Sequence, residues 1–94
     1  MLGNRPDDSR LRFGLALEYL SAGRTEDGIR ELRTYLEQTD DEGNGWGRLG
    51  ASLRELGRDE EALAAYRQGI ENAMRHGHPT MAEEFTEIVA DISS

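Results

Sequence analysis

Gly45-Trp46-Gly47-Arg48-Leu49-Gly50 spells GxGxxG, the spacing with which a dinucleotide-binding turn brings backbone amides against a pyrophosphate. That chemistry needs a strand running into the first glycine, because the phosphates sit where strand turns into helix. The residues before it, Glu37-Gln38-Thr39-Asp40-Asp41-Glu42, are polar and acidic, so no nucleotide site is expected. The same stretch imitates the first half of a calcium loop with Asp40, Glu42, Asn44 and Gly45, but Ala51 stands where the bidentate carboxylate belongs. Thr39 to Asn44 therefore reads as a solvated turn. His76 and His78 are the only histidines and flank one glycine at a helix end. Without a thiol or a committed carboxylate they make a poor metal shell, and a histidine there is suited to the exposed helix carbonyls. Ser9, Ser21, Ser52, Ser93 and Ser94 fall on helix ends and exposed faces with no histidine in reach. The expectation is no catalysis, no cofactor and no metal.

Composition narrows the classes further. With 94 residues, 36% of them hydrophobic, the chain has the length of one ordinary domain with a thin layered core. Six aromatics, Phe13, Tyr19, Tyr35, Trp46, Tyr66 and Phe85, leave no room for a large enclosed pocket. A formal net charge of -8 argues against binding a phosphate backbone, so nucleic acid is not an expected partner. The absence of cysteine removes disulfides, thiol catalysis and thiolate metal sites. No basic segment followed by an apolar run opens the chain, and no stretch approaches the roughly 18 apolar residues of a membrane span. All 11 basic residues are arginine, which fits a GC-rich genome or a high-salt cytoplasm. An acidic, soluble, cytoplasmic protein of bacterial character, with no membrane partner, is expected.

The elements that carry these residues follow from a pair of near-copies offset by 34 residues. That shift lays Leu15 on Leu49, Gly23 on Gly57, Arg24 on Arg58, Glu26 on Glu60, Arg33 on Arg67 and Glu37 on Glu71. A fixed period with helical spacing inside each copy means a stacked helical repeat. Pro6, Asp7 and Asp8 suit a first helical turn, and the first helix runs to about Ala22, where Gly23 stops it. Thr25, Glu26 and Asp27 start a second helix, to about Gln38. The second copy repeats the pattern with a helix from about Gly45 to Leu56, Gly57 as stop, Asp59 as N-cap, and a helix from Glu60 to about Arg75. After His76-Gly77-His78-Pro79, a fifth helix spans about Thr80 to Ile92. Its stripe of Met81, Phe85, Ile88, Val89 and Ile92 is amphipathic, with Glu83, Glu84 and Glu87 outward, so it reads as a capping helix rather than a third copy. The fold class is all-α, five helices in α-α hairpin repeats, with no strand.

The second copy resembles a tetratricopeptide repeat through Trp46, Leu49, Gly50, Leu53, Ala62 and Tyr66. In the first copy Arg12 takes the place of the tryptophan, while Leu15, Ala16, Tyr19, Gly28 and Leu32 hold the other places. The resemblance implies a right-handed superhelical stack in a single domain over 1–94, with repeat one at about 10–43, repeat two at about 44–77 and the capping helix at about 79–92. Independently of the name, antiparallel helices approach closely only over small side chains. Ala16 is expected to face Gly28, and Gly50 to face Ala62, with Leu15, Tyr19, Leu32 and Tyr35 filling the first seam and Trp46, Leu49, Leu53, Tyr66 and Ile70 the second.

In the resembled family the first helix of each repeat lines a concave groove. Carried over, the groove positions are Arg10, Phe13, Gly14, Leu17 and Ser21, then Asn44, Gly47, Arg48, Ala51 and Glu55. The family's clamp for chaperone tails wants lysine and asparagine where Phe13 and Leu17 stand, so that ligand is not implied. Arg10, Phe13, Leu17, Asn44 and Arg48 are the candidate peptide-binding residues. An apolar patch bordered by arginines suits a protein or peptide with a hydrophobic anchor and an acidic group. The alternative is self-association as a homodimer through the same patch or the capping helix.

Overall fold

A helix ends sharply when the residue after it can take a left-handed backbone and fold the next amides back onto its last carbonyls. Gly23, Gly57 and Gly77 do this, with φ of +80, +78 and +80°. In each case the amide one residue on returns to the helix: Arg24 N to Tyr19 O at 2.9 Å, Arg58 N to Leu53 O at 2.9 Å, and His78 N to Ala73 O at 2.7 Å. A new helix follows at once. The computed structural model describes residues 8–94. Among these it contains α1 (Ser9–Ser21), α2 (Thr25–Gln38), α3 (Asn44–Glu55), α4 (Asp59–Arg75) and α5 (Pro79–Ser93), and no strand. The expected helix-start signals at Pro6 and Asp7 lie outside the described residues. The chain divides into two compact units, one ending at Asp40 and the other running Asp41–Ser94.

The first unit is the hairpin of α1 and α2. Asp8 caps α1, its Oδ1 accepting from the amides of Arg10 at 3.1 Å and Leu11 at 3.4 Å. Ala16, Gly28, Ile29, Leu32, Tyr35 and Leu36 are buried. Gly28 does approach Ala16, whose carbonyl oxygen would lie 3.3 Å from an added Cβ, but the Leu20 side chain fills the space closer still. Where the repeat pattern has tryptophan, Arg12 reaches across the hairpin to Glu31 at 2.8 Å. In the first turn of α2, Asp27 receives hydrogen bonds from Arg30 at 2.9 Å and Arg24 at 2.8 Å. These hold its carboxyl below the ordinary value. Leu15 departs from expectation. It is 40% exposed, whereas Leu49, its counterpart in the other unit, is 2% exposed.

In the second unit α4 packs against both α3 and α5. Leu49, Leu53, Ala62, Ala65, Tyr66, Ala73 and Ala82 form its apolar core. The ring of Tyr66, not Ala62, occupies the space that a side chain on Gly50 would take, with Cε2 only 2.7 Å from an added Cβ. Asp59 is the first residue of α4 rather than its N-cap. Arg58 holds the cap position but its side chain does not cap the helix, and Asp59, Glu60 and Glu61 place three acids in the positive first turn. The segment before α3 also differs from a solvated turn. Asp41 is buried, and its Oδ1 accepts from the amides of Gly43 at 2.7 Å and Gly45 at 2.8 Å, while its carbonyl accepts from Asn72 Nδ2 at 2.8 Å. A carboxylate thus satisfies two of the amides at the start of α3, and α4 clamps the same residue from the other side.

Candidate functional site

α1 carries apolar residues on more than one side, and that decides which of them stay at the surface. Ala16 is fully buried. Phe13 and Leu17, one helical turn apart, are half-buried. Phe13 lies on the Tyr35 ring of α2 with centroids 4.9 Å apart and planes tilted by 36°. Tyr35 thereby holds one side of the Phe13 ring in place. Arg10 is exposed at the start of this stripe. At Gly14, beside Phe13 and Leu17, an added Cβ would meet nothing within 4 Å among the described residues. Among the described residues the Arg10 guanidinium forms no ion pair. Arg10, Phe13 and Leu17 therefore share one face of α1, two apolar side chains led by a cation.

On α3, Asn44 is the first residue and Arg48 lies one turn later, both exposed. Arg48 also forms no ion pair among the described residues, and its carbonyl accepts the Ser52 hydroxyl at 2.9 Å. Of the other expected groove positions on α3, Ala51 and Glu55 are exposed, but Gly47 is not open. The Phe85 ring of α5 sits over it, with Cζ 2.5 Å from where a Cβ would be. The same ring covers Gly69 of α4 and meets the edge of Tyr66 at 5.4 Å. The pairing of two glycines, one on each of α3 and α4, with an aromatic in the apolar stripe of α5 was the available signal. The 34-residue pattern, which ends before α5, does not carry it.

The residues that resemble chemical motifs are placed accordingly. Gly45 to Gly50 lie inside α3, with Gly47 under Phe85 and Gly50 under Tyr66, so no amide cradle faces a ligand. His78 Nε2 is 3.3 Å from Glu42 Oε1. No group of three or more histidine, aspartate or glutamate residues able to hold a metal lies among the described residues. No helix there is long and apolar enough to cross a membrane. Burial raises the Tyr66 phenol above its ordinary value, against the smaller opposing effect of the Arg54 guanidinium. Arg54 itself pairs with Asp91, tying α3 to the end of α5.

Comparison with known proteins supplies the context for this face. A family model described as tetratricopeptide repeat matches residues 1–74. A TPR repeat-containing protein of Pseudomonas aeruginosa is 35% identical over 86 residues, covering 92% of this chain and 82% of that protein. The solution NMR structure of a tetratricopeptide repeat domain protein from Salinibacter ruber superposes with a TM-score of 0.84 at 25% identity, covering 95% of this chain and 90% of that one.

Proposed function

The chain belongs to the tetratricopeptide repeat family, and from that premise we propose that it is a protein–protein interaction module that takes a peptide or protein segment on its first-helix faces. Repeats of this family generally mediate protein–protein interaction and serve as non-catalytic scaffolds. The residues proposed to make the contact are Arg10, Phe13 and Leu17 on α1, with Asn44 and Arg48 on α3. The observation that carries the reading is the face of α1 where Phe13 and Leu17 are half-exposed, one turn apart, beside a Gly14 that nothing among the described residues covers. An apolar anchor would be desolvated against them, and the guanidiniums of Arg10 and Arg48, which form no ion pair among the described residues, would attract acidic groups of the partner.

The test is capture of partners on the immobilised chain, followed by titration of the captured protein with single variants. Phe13→Ala should weaken binding by about 2 kcal/mol, roughly thirtyfold, through faster dissociation. Arg10→Ala and Arg48→Ala should slow association and flatten its salt dependence, because exposed charges steer and are screened. Affinity that survives the Phe13 and Arg48 changes yet falls on Glu60→Ala would place the contact on α4 and end this reading. A second reading, self-association, draws on Leu11 and Leu15 of α1, which are 71% and 40% exposed and one turn apart. Sedimentation over a range of concentrations separates the two, since only self-association shows mass action between identical chains.

A further inference from the structure

A second surface lies within the second unit, on residues of α4 and α5 other than those proposed above. Between α4 and α5 runs an open groove of about 450 Å³. Ile70 and Met74 line it from α4, and Pro79 and Ala82 from the first turn of α5. Met74 is 59% exposed, so its thioether lies bare where a flexible side chain can adapt to an incoming apolar group. Glu83 and Glu87, one helical turn apart on α5, are the charged residues of the lining, and no cation accompanies them. Both are exposed, and neither is in an ion pair among the described residues. Asp91, the next acid on α5, is by contrast neutralised by Arg54.

We propose that this groove docks an amphipathic, basic helical segment of a partner protein, with an apolar side chain on Ile70, Met74 and Ala82 and two cations, one turn apart, on Glu83 and Glu87. The shape fits because the furrow between two packed antiparallel helices accepts the ridge of a third. The charge fits because carboxylates at i and i+4 match arginine or lysine residues at the same spacing on the incoming helix. A second copy of this chain fits poorly. A twofold contact through the groove would bring Glu83 and Glu87 against the same residues of its mate, on a body with formal net charge -8.

The probe is a synthetic helical peptide with leucines at i and i+4 flanked by arginines, titrated into the isotopically labelled full chain, with the same peptide bearing glutamate for arginine as control. Saturable shifts should appear at Ile70, Met74, Ala82 and Glu83, with the arginine peptide only. Glu83→Gln/Glu87→Gln should weaken binding about tenfold at low salt, while Glu37→Gln/Glu60→Gln, which changes net charge equally on exposed residues elsewhere, should leave it near the unmodified value. The proposal is overturned if no saturable shifts occur, if both double variants weaken binding alike, or if the shifts centre on Phe13 and Leu17. It is likewise overturned if the groove residues shift with protein concentration in the absence of peptide, which would make the groove a self-association face. Because the first-helix contact is read from Phe13 and Arg48 variants, either proposal can fail while the other stands.

Discussion

Replacing glycine by alanine at Gly14 of α1 and at Gly50 of α3 should change stability in opposite directions. Both positions lie inside helices, where alanine is favoured over glycine by roughly 1 kcal/mol. At Gly14 the new methyl group meets nothing within 4 Å among the described residues, so that preference is realised in full. The melting temperature should rise by about 4–8 °C. At Gly50 the methyl group would lie 2.7 Å from Tyr66 Cε2 and 2.8 Å from Cδ2. Carbon atoms in contact prefer about 3.5–4.0 Å, so the ring must retreat by roughly 1 Å. Tyr66 is only 4% exposed and has Phe85 against its edge, so it cannot retreat freely. Overpacking of this kind costs about 1–3 kcal/mol, and after the helix preference is subtracted the net loss is about 1 kcal/mol, a fall of about 4–8 °C. Gly50→Leu should lie at the upper end of the overpacking range, near 3 kcal/mol. Thermal and urea melts followed by far-UV circular dichroism read all three variants. The decisive control repeats Gly50→Ala in a Tyr66→Leu background, where the flat ring is gone and the substitution should become neutral or stabilising. A Gly50→Ala protein that melts above the parent, or one that is destabilised equally in both backgrounds, would refute the account of this crossing.

Removing residues 79–94 should uncover Gly47, Gly69 and Tyr66, lowering helicity and promoting aggregation, as circular dichroism and light scattering would show; an equally stable monomer would make α5 an appendage. Asp41→Ala should cost about 1–2 kcal/mol in urea melts, because the amides of Gly43 and Gly45 lose their acceptor. Asp41→Asn, which keeps an acceptor oxygen, should recover part of that loss. Tyr66 has a folded-state pKa raised above 10.0, so its stabilising contribution is complete below that pH and is lost as pH rises through the folded value. Melting temperature should therefore fall more steeply above pH 10 in the parent than in Tyr66→Phe, and parallel curves would remove Tyr66 from the alkaline transition.

Helix boundaries were legible in the sequence because their causes are local. Gly23, Gly57 and Gly77 stop their helices through hydrogen bonds confined to a few neighbouring residues, and the period of 34 repeats those stops at matching places. The candidate contact residues were legible only as positions on a pattern, since the spacing of Phe13 and Leu17 places them on one helical face but leaves open how far each is buried. Tertiary structure decided what fills the space beside each small residue. The pattern paired Gly50 with Ala62, yet the larger and more distant Tyr66 ring lies over Gly50, and Phe85 from outside the repeat covers Gly47 and Gly69. It likewise withdrew Asp41 from a stretch whose composition is that of a solvated turn, because its acceptors meet amides at the start of α3 and the carboxamide of Asn72, 31 residues away. Leu15 and Leu49 occupy the same place in the repeat but differ in exposure, 40% against 2%, a difference the repeat pattern does not contain. Local hydrogen bonding is encoded within a few residues, whereas burial depends on which distant side chains arrive, and that is settled only when the helices pack.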